Sequence, residues 1–349
     1  AITVYRRVLA AGNERPEIWH NLGLALVNTG SRHEAVDSFR RSLELRPGYP
    51  ATLSGLGTAL VELGDYEEAT NCFRRAAAVA PDDPDARNNL GNALKDQGLV
   101  DTAIDCFREA LRIDATRADI HSNLVFAAHF SPRYDRRLLY REARRWAEKH
   151  ADPLDRDSGR YANDLSPDRR LRIGYLSPDF DNHCQAFFTV PLLRALDRDR
   201  CEVYCYSDVV REDNRTDRIK QLADCWRPVV GMTDTAVVEL IRRDTIDILV
   251  DLTMHMARNR LLVFARRPAP VQVAWLAYPG TTGMRQIDYR ISDMHLDPPE
   301  QEEVRECYAE QTWRLPDTFW CFDPLTTHPS VNALPASTSG HITFGCLSN

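Results

Sequence analysis

The sequence predicts an α + α/β protein, in which a helical repeat array precedes a doubly wound parallel sheet. Two observations lead to this prediction. Residue types recur every 34 positions over the first third of the chain, and from Leu171 onward short apolar segments alternate with amphipathic ones. The 349 residues are enough for two or more domains, and a content of 43% hydrophobic and 27% charged residues is typical of a globular protein.

The recurring residues form several series with one spacing. The pair Leu22-Gly23 returns as Leu56-Gly57 and Leu90-Gly91. The same step links Gly30, Gly64 and Gly98; Ala35, Ala69 and Ala103; Phe39, Phe73 and Phe107; and Pro47 and Pro81. This is the pattern of tetratricopeptide repeats, whose units are two antiparallel helices joined by a turn. We expect a repeat domain over 1–130, made of a partial repeat at 1–14, units near 15–48, 49–82 and 83–116, and a closing helix pair.

Repeat units of this kind stack into a superhelix whose concave face binds peptides or partner proteins. Five asparagines fall on the first helices of the units, where that face would be: Asn21, Asn88, Asn89, Asn92 and Asn123. Their amides are suited to hold an extended peptide backbone, and simple exposed polar residues are the alternative. Protein or peptide acceptors are the expected partners of the array. The histidines of the array, His121 among them, are interpreted as surface or packing residues.

Charge and cysteine content exclude several other classes of protein. With 44 basic and 51 acidic residues the net charge is -7, and no basic block indicates nucleic-acid binding. The nine cysteines include no CxxC pair, so we expect neither a disulfide framework nor a zinc site, and a reducing compartment. The sequence contains no apolar stretch of about 18 residues, so no membrane span is expected, and it has no signal-peptide pattern. A cytoplasmic location is therefore expected.

The repeat period fails at Ser131, and we place a joint over 131–168. Residues 137–150 carry apolar residues, including Trp146, at helical spacing, which predicts a linking helix. Residues 151–168 are rich in Asp, Arg, Ser and Pro, which predicts an exposed connector.

The region after the joint alternates predicted strands and helices. The strands are expected at 171–176, 202–206, 246–250, 270–275 and 289–292, and the helices at 187–196, 217–225, 234–244 and 261–264. Such alternation predicts a mostly parallel, doubly wound sheet, in which ligands bind beyond the carboxyl ends of the strands. Asp179 and His183 follow the first strand, His255 the third and residues 276–281 the fourth. We therefore expect a site at this edge, and the absence of GxGxxG and Walker A motifs argues against nicotinamide and P-loop sites.

Six segments resemble the O-linked N-acetylglucosamine transferase family. They are RRWAEKHADPL at 144–154, LRIGYLSPDFDNH at 171–183, EVYCYSDV at 202–209, IDILVDL at 246–252, RPAPVQVAWLAYPGTTG at 267–283 and IDYRISD at 287–293. The resemblance implies a GT-B fold of two lobes, in which the repeats feed protein acceptors into the cleft between them. Residues 169–340 would form the N-terminal catalytic lobe, and 341–349 would begin the second lobe. The lysine that the family uses near the donor diphosphate has no counterpart here, so we expect little activity from this chain alone.

Three residues match catalytic positions of the family. His150 matches an active-site histidine at the end of the joint helix, His183 matches the histidine after the first strand, and Asp179 matches a carboxylate that is a candidate base. An inverting sugar transfer needs the Ser or Thr hydroxyl deprotonated as it attacks, and the leaving diphosphate stabilised. An imidazole or a carboxylate fits the first role, and a water chain or a donor phosphate oxygen is the alternative. Apart from the resemblance, His150 fits a helix C-terminus and Asp179 fits a turn cap.

Further residues match the substrate pocket of the family. Leu276, Ala277 and Pro279 match a loop that lines the sugar pocket, and His255 falls where relatives carry His or Tyr near the acceptor. Cys184 directly follows the loop histidine and is expected in the same pocket. Ala277 stands where relatives usually have Gly.

The resemblance implies a protein O-glycosyltransferase that moves N-acetylglucosamine from UDP-N-acetylglucosamine (UDP-GlcNAc) to Ser or Thr of protein acceptors, with no cofactor and no metal. One alternative is a Spindly-like O-fucosyltransferase, which would use GDP-fucose as the nucleotide sugar donor. Another is a repeat-based protein-binding scaffold with a degenerate transferase region, which Ala277, Met254 and Met256 favour.

Overall fold

The computed structural model describes residues 1–155, 161–298 and 306–326, together with Ser337, Gly340 and His341. The predicted start of a second lobe at 341–349 lies outside the described residues, except for His341. Within the described ranges, no helix is both long and apolar enough to cross a membrane.

The first part of the chain is a stack of antiparallel helix pairs. Its helices are α1 (Ile2–Ala10), α2 (Pro16–Asn28), α3 (Arg32–Leu45), α4 (Pro50–Leu63), α5 (Tyr66–Val79), α6 (Pro84–Asp96), α7 (Val100–Ile113), α8 (Ala118–Ala128) and α9 (Arg136–His150). Helices α2, α4 and α6 each begin with proline, whose fixed φ and missing N–H suit the first turn. Their partners α3, α5 and α7 carry the buried Ala and Phe series. The predicted repeat architecture is confirmed.

The 34-residue period reflects one packing contact, between a glycine and a phenylalanine, that recurs in each repeat. A Cβ built on Gly91 would lie 2.6 Å from the ring of Phe107, which is fully buried. Gly23 meets Phe39, and Gly57 meets Phe73, in the same way. The Leu-Gly series and the Phe series are therefore two halves of one packing contact, in which only glycine leaves room for the ring.

The second part of the chain contains a parallel sheet of seven strands. They are β1 (Leu171–Ser177), β2 (Cys201–Ser207), β3 (Cys225–Pro228), β4 (Ile248–Asp251), β5 (Val271–Ala274), β6 (Tyr289–Asp293) and β7 (Gln311–Leu315). The order is β3-β2-β1-β4-β5-β6-β7, and every neighbouring pair is parallel. The order reverses between β1 and β4, which is the switch point where doubly wound sheets bind ligands. The predicted α/β class is confirmed.

Four helices that lie wholly within the described residues accompany the strands, and the structure differs from the predicted elements at two places. The helices are α10 (Ala186–Ala195), α11 (Asn214–Leu222), α12 (Asp234–Arg243) and α13 (Leu261–Phe264). The helix predicted at 217–225 ends at Leu222, and Cys225 begins the unpredicted strand β3. Strand β7 was also not predicted. Both strands lie at the edges of the sheet, where short, partly exposed segments lack a strong apolar signal.

The described end of the connector is exposed at Ala162 and at 164–168, as predicted, and it is attached to the lobe through two side chains. The Asn163 amide donates to the Asp247 carboxylate at 2.6 Å. Arg169 forms an ion pair with the same carboxylate, also at 2.6 Å. These contacts fasten the connector to the residue that precedes β4.

The lobe contacts the array at two places. At the far end of the array, the indole of Trp146 on α9 donates to the Ala118 carbonyl of α8 at 2.8 Å, and Arg144 donates to the Gly283 carbonyl of the lobe. Near the start of the array, Arg211 of the lobe donates to the carbonyl of Asn28 at 2.6 Å. Helix α9 therefore joins the two parts, and the turn after α2 provides a second attachment.

Candidate active site

The loop after β1 carries two of the predicted catalytic residues beside the switch point. The backbone N–H of Asp179 donates to the buried Ser177 hydroxyl at 3.0 Å, which turns the chain sharply at the end of the strand. Asp179 itself is half-buried, and its Oδ2 atom has no hydrogen-bond partner among the described residues. Burial raises the pKa of Asp179, as does the charge of Asp181, while His183 and Arg258 partly oppose the rise. Asp179 thus has a buried carboxylate oxygen whose capacity to accept a hydrogen bond or a proton is unused by the described residues.

His183 and Cys184 lie at the outer end of the same loop. The His183 ring is half-buried and acts electrostatically on Asp179, so the two predicted catalytic groups are neighbours. Cys184 is exposed, with its sulfur 3.8 Å from each His183 ring nitrogen. The next residue, Gln185, anchors the loop by donating to the Leu252 carbonyl at 2.6 Å. The loop after β1 is therefore held against the end of β4 while its histidine stays accessible.

Strand β4 ends in an acid, Asp251, that the sequence pattern alone did not single out. Asp251 is buried and accepts hydrogen bonds from the backbone N–H groups of Thr253, at 3.2 Å, and Met254, at 2.8 Å. Burial raises the pKa of Asp251 to about 7, against the two amides and with a further contribution from Asp179. Its position at the carboxyl end of a central strand was the signal available in the sequence.

His255 does not lie at the predicted acceptor position. Its side chain is completely buried, and its Nε2–H donates to the Thr282 carbonyl at 2.9 Å. Nδ1 is left to accept from the Ser122 hydroxyl of α8 at 3.1 Å. Trp146 covers the ring edge-on, with 4.8 Å between the ring centroids. The predicted acceptor contact is therefore corrected: His255 is sealed between array and lobe, and it fastens one to the other.

The loop after β5 carries the predicted sugar-pocket residues. Leu276 is buried and has a φ of +84°, a left-handed conformation that is rare for a branched side chain and that clusters at functional sites. Ala277 is half-buried, and Pro279 is exposed. Beyond Pro279, the hydroxyls of Thr281 and Thr282 and the backbone N–H of Thr282 donate to the buried Glu310 carboxylate. This loop lies at the same edge of the sheet as Asp179 and His183, because β1 and β5 are parallel.

His150 lies on the array side, at the end of α9. Its Nε2 is 3.1 Å from Nδ1 of His121 on α8, and its ring centroid is 5.6 Å from that of Trp146. Burial, assisted by His121 and Lys149 and partly opposed by Asp119, lowers the pKa of His150 to about 4. The ring is therefore neutral at pH 7.

A cleft of 590 Å³ lies between the array and the lobe. The array contributes Asn92, Lys95, Asp96, Asp119 and Asn123, and the lobe contributes Met256, Ala257, Arg258, Asn259 and Arg260. Arg258 acts on the pKa of Asp179, and Asp119 acts on the pKa of His150. The cleft is thus bordered by groups that act electrostatically on both predicted catalytic regions. Two of the five asparagines predicted to hold peptide, Asn92 and Asn123, line it.

The fold and the site define a class of protein in which a tetratricopeptide array opens onto the ligand-binding edge of a doubly wound sheet. Comparison with known families identifies it further. The family model described as glycosyl transferase family 41 matches residues 137–333, and two tetratricopeptide repeat models match 14–82 and 55–118. The chain belongs to glycosyl transferase family 41.

Several relatives support this assignment. The chain is 38% identical over 215 residues to a probable UDP-N-acetylglucosamine–peptide N-acetylglucosaminyltransferase SPINDLY of Petunia hybrida, covering 60% of this chain and 23% of that protein. It is 40% identical over 187 residues to the Arabidopsis thaliana protein of the same name, covering 52% and 20%. A mutant O-GlcNAc transferase of Thermobaculum terrenum superposes with a TM-score of 0.80 at 40% identity, covering 87% of this chain and 58% of that chain. The chain thus spans less than a quarter of these two curated relatives.

Proposed function

We propose that this protein transfers a sugar from a nucleotide sugar to Ser or Thr hydroxyls of protein acceptors, and that the donor is UDP-N-acetylglucosamine. The observation that carries the proposal is the pairing of Asp179 and His183 in one loop beside the switch point, together with Arg258, which acts on Asp179 and lines the cleft between array and lobe. The names of the relatives support the choice of donor and reaction.

In the proposed reaction the array supplies the acceptor and the lobe supplies the reacting edge. An extended acceptor lies along the cleft, where Asn92 and Asn123 can hydrogen-bond its backbone. Its hydroxyl gives up its proton, to Asp179, to His183 or to His150, as the oxygen attacks the anomeric carbon of the donor. The loop with Leu276, Ala277 and Pro279 contacts the sugar. The charge of the leaving diphosphate is assigned to cationic side chains rather than to a metal.

The test uses the protein expressed from its whole gene. It is incubated with a Ser/Thr peptide and either UDP-N-acetylglucosamine or GDP-fucose, and peptide glycosylation is measured by mass spectrometry. Transfer from the first donor is the expected result. Transfer from GDP-fucose alone would assign the protein to the O-fucosyltransferase alternative. Peptide binding without transfer from either donor would support a scaffold and contradict the proposal.

Replacing His183 tests the site itself. We expect His183→Ala to lower kcat on the order of a hundredfold, because one proton-transfer group contributes about 10²–10⁴ in rate. The ring is half-buried and its substitution leaves no large cavity, so folding is expected to survive and is checked by circular dichroism. His33→Ala, at an exposed position on α3, is the matched control. Unchanged turnover in the His183 variant would remove this residue from the mechanism.

A further inference from the structure

Two side chains behind His150 form a hydrogen-bonded chain that the proposed reaction does not yet use. Nε2 of His121 is 3.2 Å from Oε1 of Glu142, and Nδ1 of His121 is 3.1 Å from Nε2 of His150. His121 is 7% exposed and Glu142 is 8% exposed, so neither is a surface residue. His121 belongs to the last helix pair of the array, and Glu142 lies on α9, two turns before His150.

The direction of the hydrogen bonds follows from the charge of Glu142. Burial acts to raise the pKa of Glu142, but the hydrogen bond from His121 and the nearby charges of Arg145 and Arg108 act against it, and the pKa lies below its ordinary value. An ionised carboxylate only accepts, so Nε2 of His121 carries the proton and donates to Glu142. With the His121 ring neutral, its Nδ1 is then the acceptor of Nε2–H of His150, whereas a doubly protonated His121 would donate from Nδ1 and leave His150 as the Nδ1–H tautomer.

The same reasoning fixes the tautomer of His150. With its proton on Nε2 and engaged by His121, the neutral His150 ring keeps its lone pair on Nδ1. The carboxylate–imidazole pair behind His150 thereby orients the ring and selects the nitrogen that can accept a proton, which is the role a third group has behind a base in hydrolytic triads.

We propose that His121 and Glu142 are positioning residues for His150, which hold its ring with Nδ1 available to the acceptor hydroxyl. This inference rests on the proposed function and deepens it, because it makes the last helix pair of the array part of the catalytic apparatus. The competing explanation is that the three side chains only fasten α8 to α9.

The first experiment tests the hydrogen-bonded chain without relying on activity. In the whole-gene protein labelled with ¹⁵N-histidine, ring nitrogen shifts report which nitrogen of His150 is protonated. We expect an Nε2–H ring in the wild type and a mixture of tautomers in His121→Ala, because the acceptor that selects the tautomer is gone. An Nδ1–H ring in the wild type would overturn the proposal.

The second experiment separates positioning from fastening. We expect His121→Ala to lower kcat about tenfold with little change in KM for the peptide, in line with the effect of groups that orient a reacting residue. His121 also acts on the pKa of His150, so its loss should shift the acid limb of the kcat profile. The charged and titratable groups acting on His150 are His121 and Asp119 on α8 and Lys149 on α9, and it interacts with His255 from the lobe.

Conservative and control variants complete the design. His121→Asn keeps an oxygen near the place of Nδ1 that can accept from His150, so it should recover most of kcat. Glu142→Gln offers one carbonyl oxygen where the carboxylate serves both His121 and Arg145, so an intermediate loss is expected. His20→Ala removes another buried histidine of the array, hydrogen-bonded at 3.1 Å to Thr52, and should lower stability without changing the pH profile.

The outcomes separate this inference from the function on which it rests. If the wild type transfers sugar and His121→Ala retains both kcat and the acid limb, the positioning role is wrong while the proposed function stands. If the wild type transfers no sugar, the proposed function fails, and the positioning role fails with it whatever the ring shifts show.

Discussion

Gly283→Ala is expected to cost about 4 kcal/mol of folding free energy, the largest single effect that this structure predicts. A Cβ at this position would lie 2.3 Å from the carbonyl carbon of Ala143 and 2.4 Å from its oxygen, inside the backbone of α9. The residue also has a φ of +72°, which a side chain disfavours. Since backbone cannot rotate aside as a side chain can, the lobe would have to move away from α9.

Gly64→Ala provides a control with matched backbone geometry. Gly64 ends α4 with a φ of +83°, and no heavy atom of the described chain lies within 4 Å of the point that a Cβ would occupy there. This change should therefore cost only the conformational part, about 1 kcal/mol. Urea denaturation followed by circular dichroism compares the two variants. Equal losses in both would show that the contact between Gly283 and α9 is not close in solution.

His255 is expected to make the junction of array and lobe sensitive to acid. Burial lowers its pKa to about 3, against about 6.5 in an unfolded chain. The contribution of the neutral ring to stability is therefore fully present above pH 6.5. Below that pH the His255 imidazole binds a proton in the unfolded chain but not in the folded protein. The free energy of unfolding therefore falls by about 1.4 kcal/mol per pH unit until about pH 3. At pH 5 the loss is about 2 kcal/mol.

The measurement compares His255→Gln with the wild type between pH 7.5 and pH 5. The glutamine amide can still donate to the Thr282 carbonyl, and it has no proton to gain. At pH 7.5 the variant is less stable than the wild type, because the contacts with Ser122 and Trp146 are lost. The difference in unfolding free energy between the two proteins should be about 2 kcal/mol smaller at pH 5. The pKa of Asp251 is raised to about 7, so this residue changes the pH dependence of stability in the opposite direction. Both proteins contain Asp251, so its effect cancels in the difference between them.

A control and a contrary outcome complete this prediction. His33→Gln, at an exposed site on α3, should leave the pH dependence unchanged. A constant gap between His255→Gln and the wild type over the whole pH range would mean that the imidazole is accessible to solvent protons, and that the junction of array and lobe is not sealed.

The architecture was readable in the sequence wherever the signal is local or periodic. The Leu22, Gly30 and Phe39 series identify the array because one packing contact recurs in every unit. The alternation after Leu171 identifies the sheet and its ligand-binding edge, because parallel strands place their following loops on one side. Asp179 and His183 follow from that rule together with the family resemblance.

The remaining features depend on contacts between distant parts of the chain. His255 follows a strand, as predicted, but Ser122, 133 positions earlier, draws it into the interior. His121 was interpreted as a surface or packing residue, and only the folded structure brings it against His150. The sequence pattern around such residues is the same whether the opposing helix is present or absent, so no local rule can find them.

Arg211 gives the array a mechanical property that its helices alone do not have. An unattached superhelix of repeats can stretch and bend elastically, because each unit contacts only its neighbours. In this protein the array is attached near both of its ends, through α9 at one end and through the hydrogen bond from Arg211 to the Asn28 carbonyl near the other. Widening the superhelix for a bulky acceptor therefore requires the hydrogen bond between Arg211 and Asn28 to break, and the strength of this bond sets how easily the array opens.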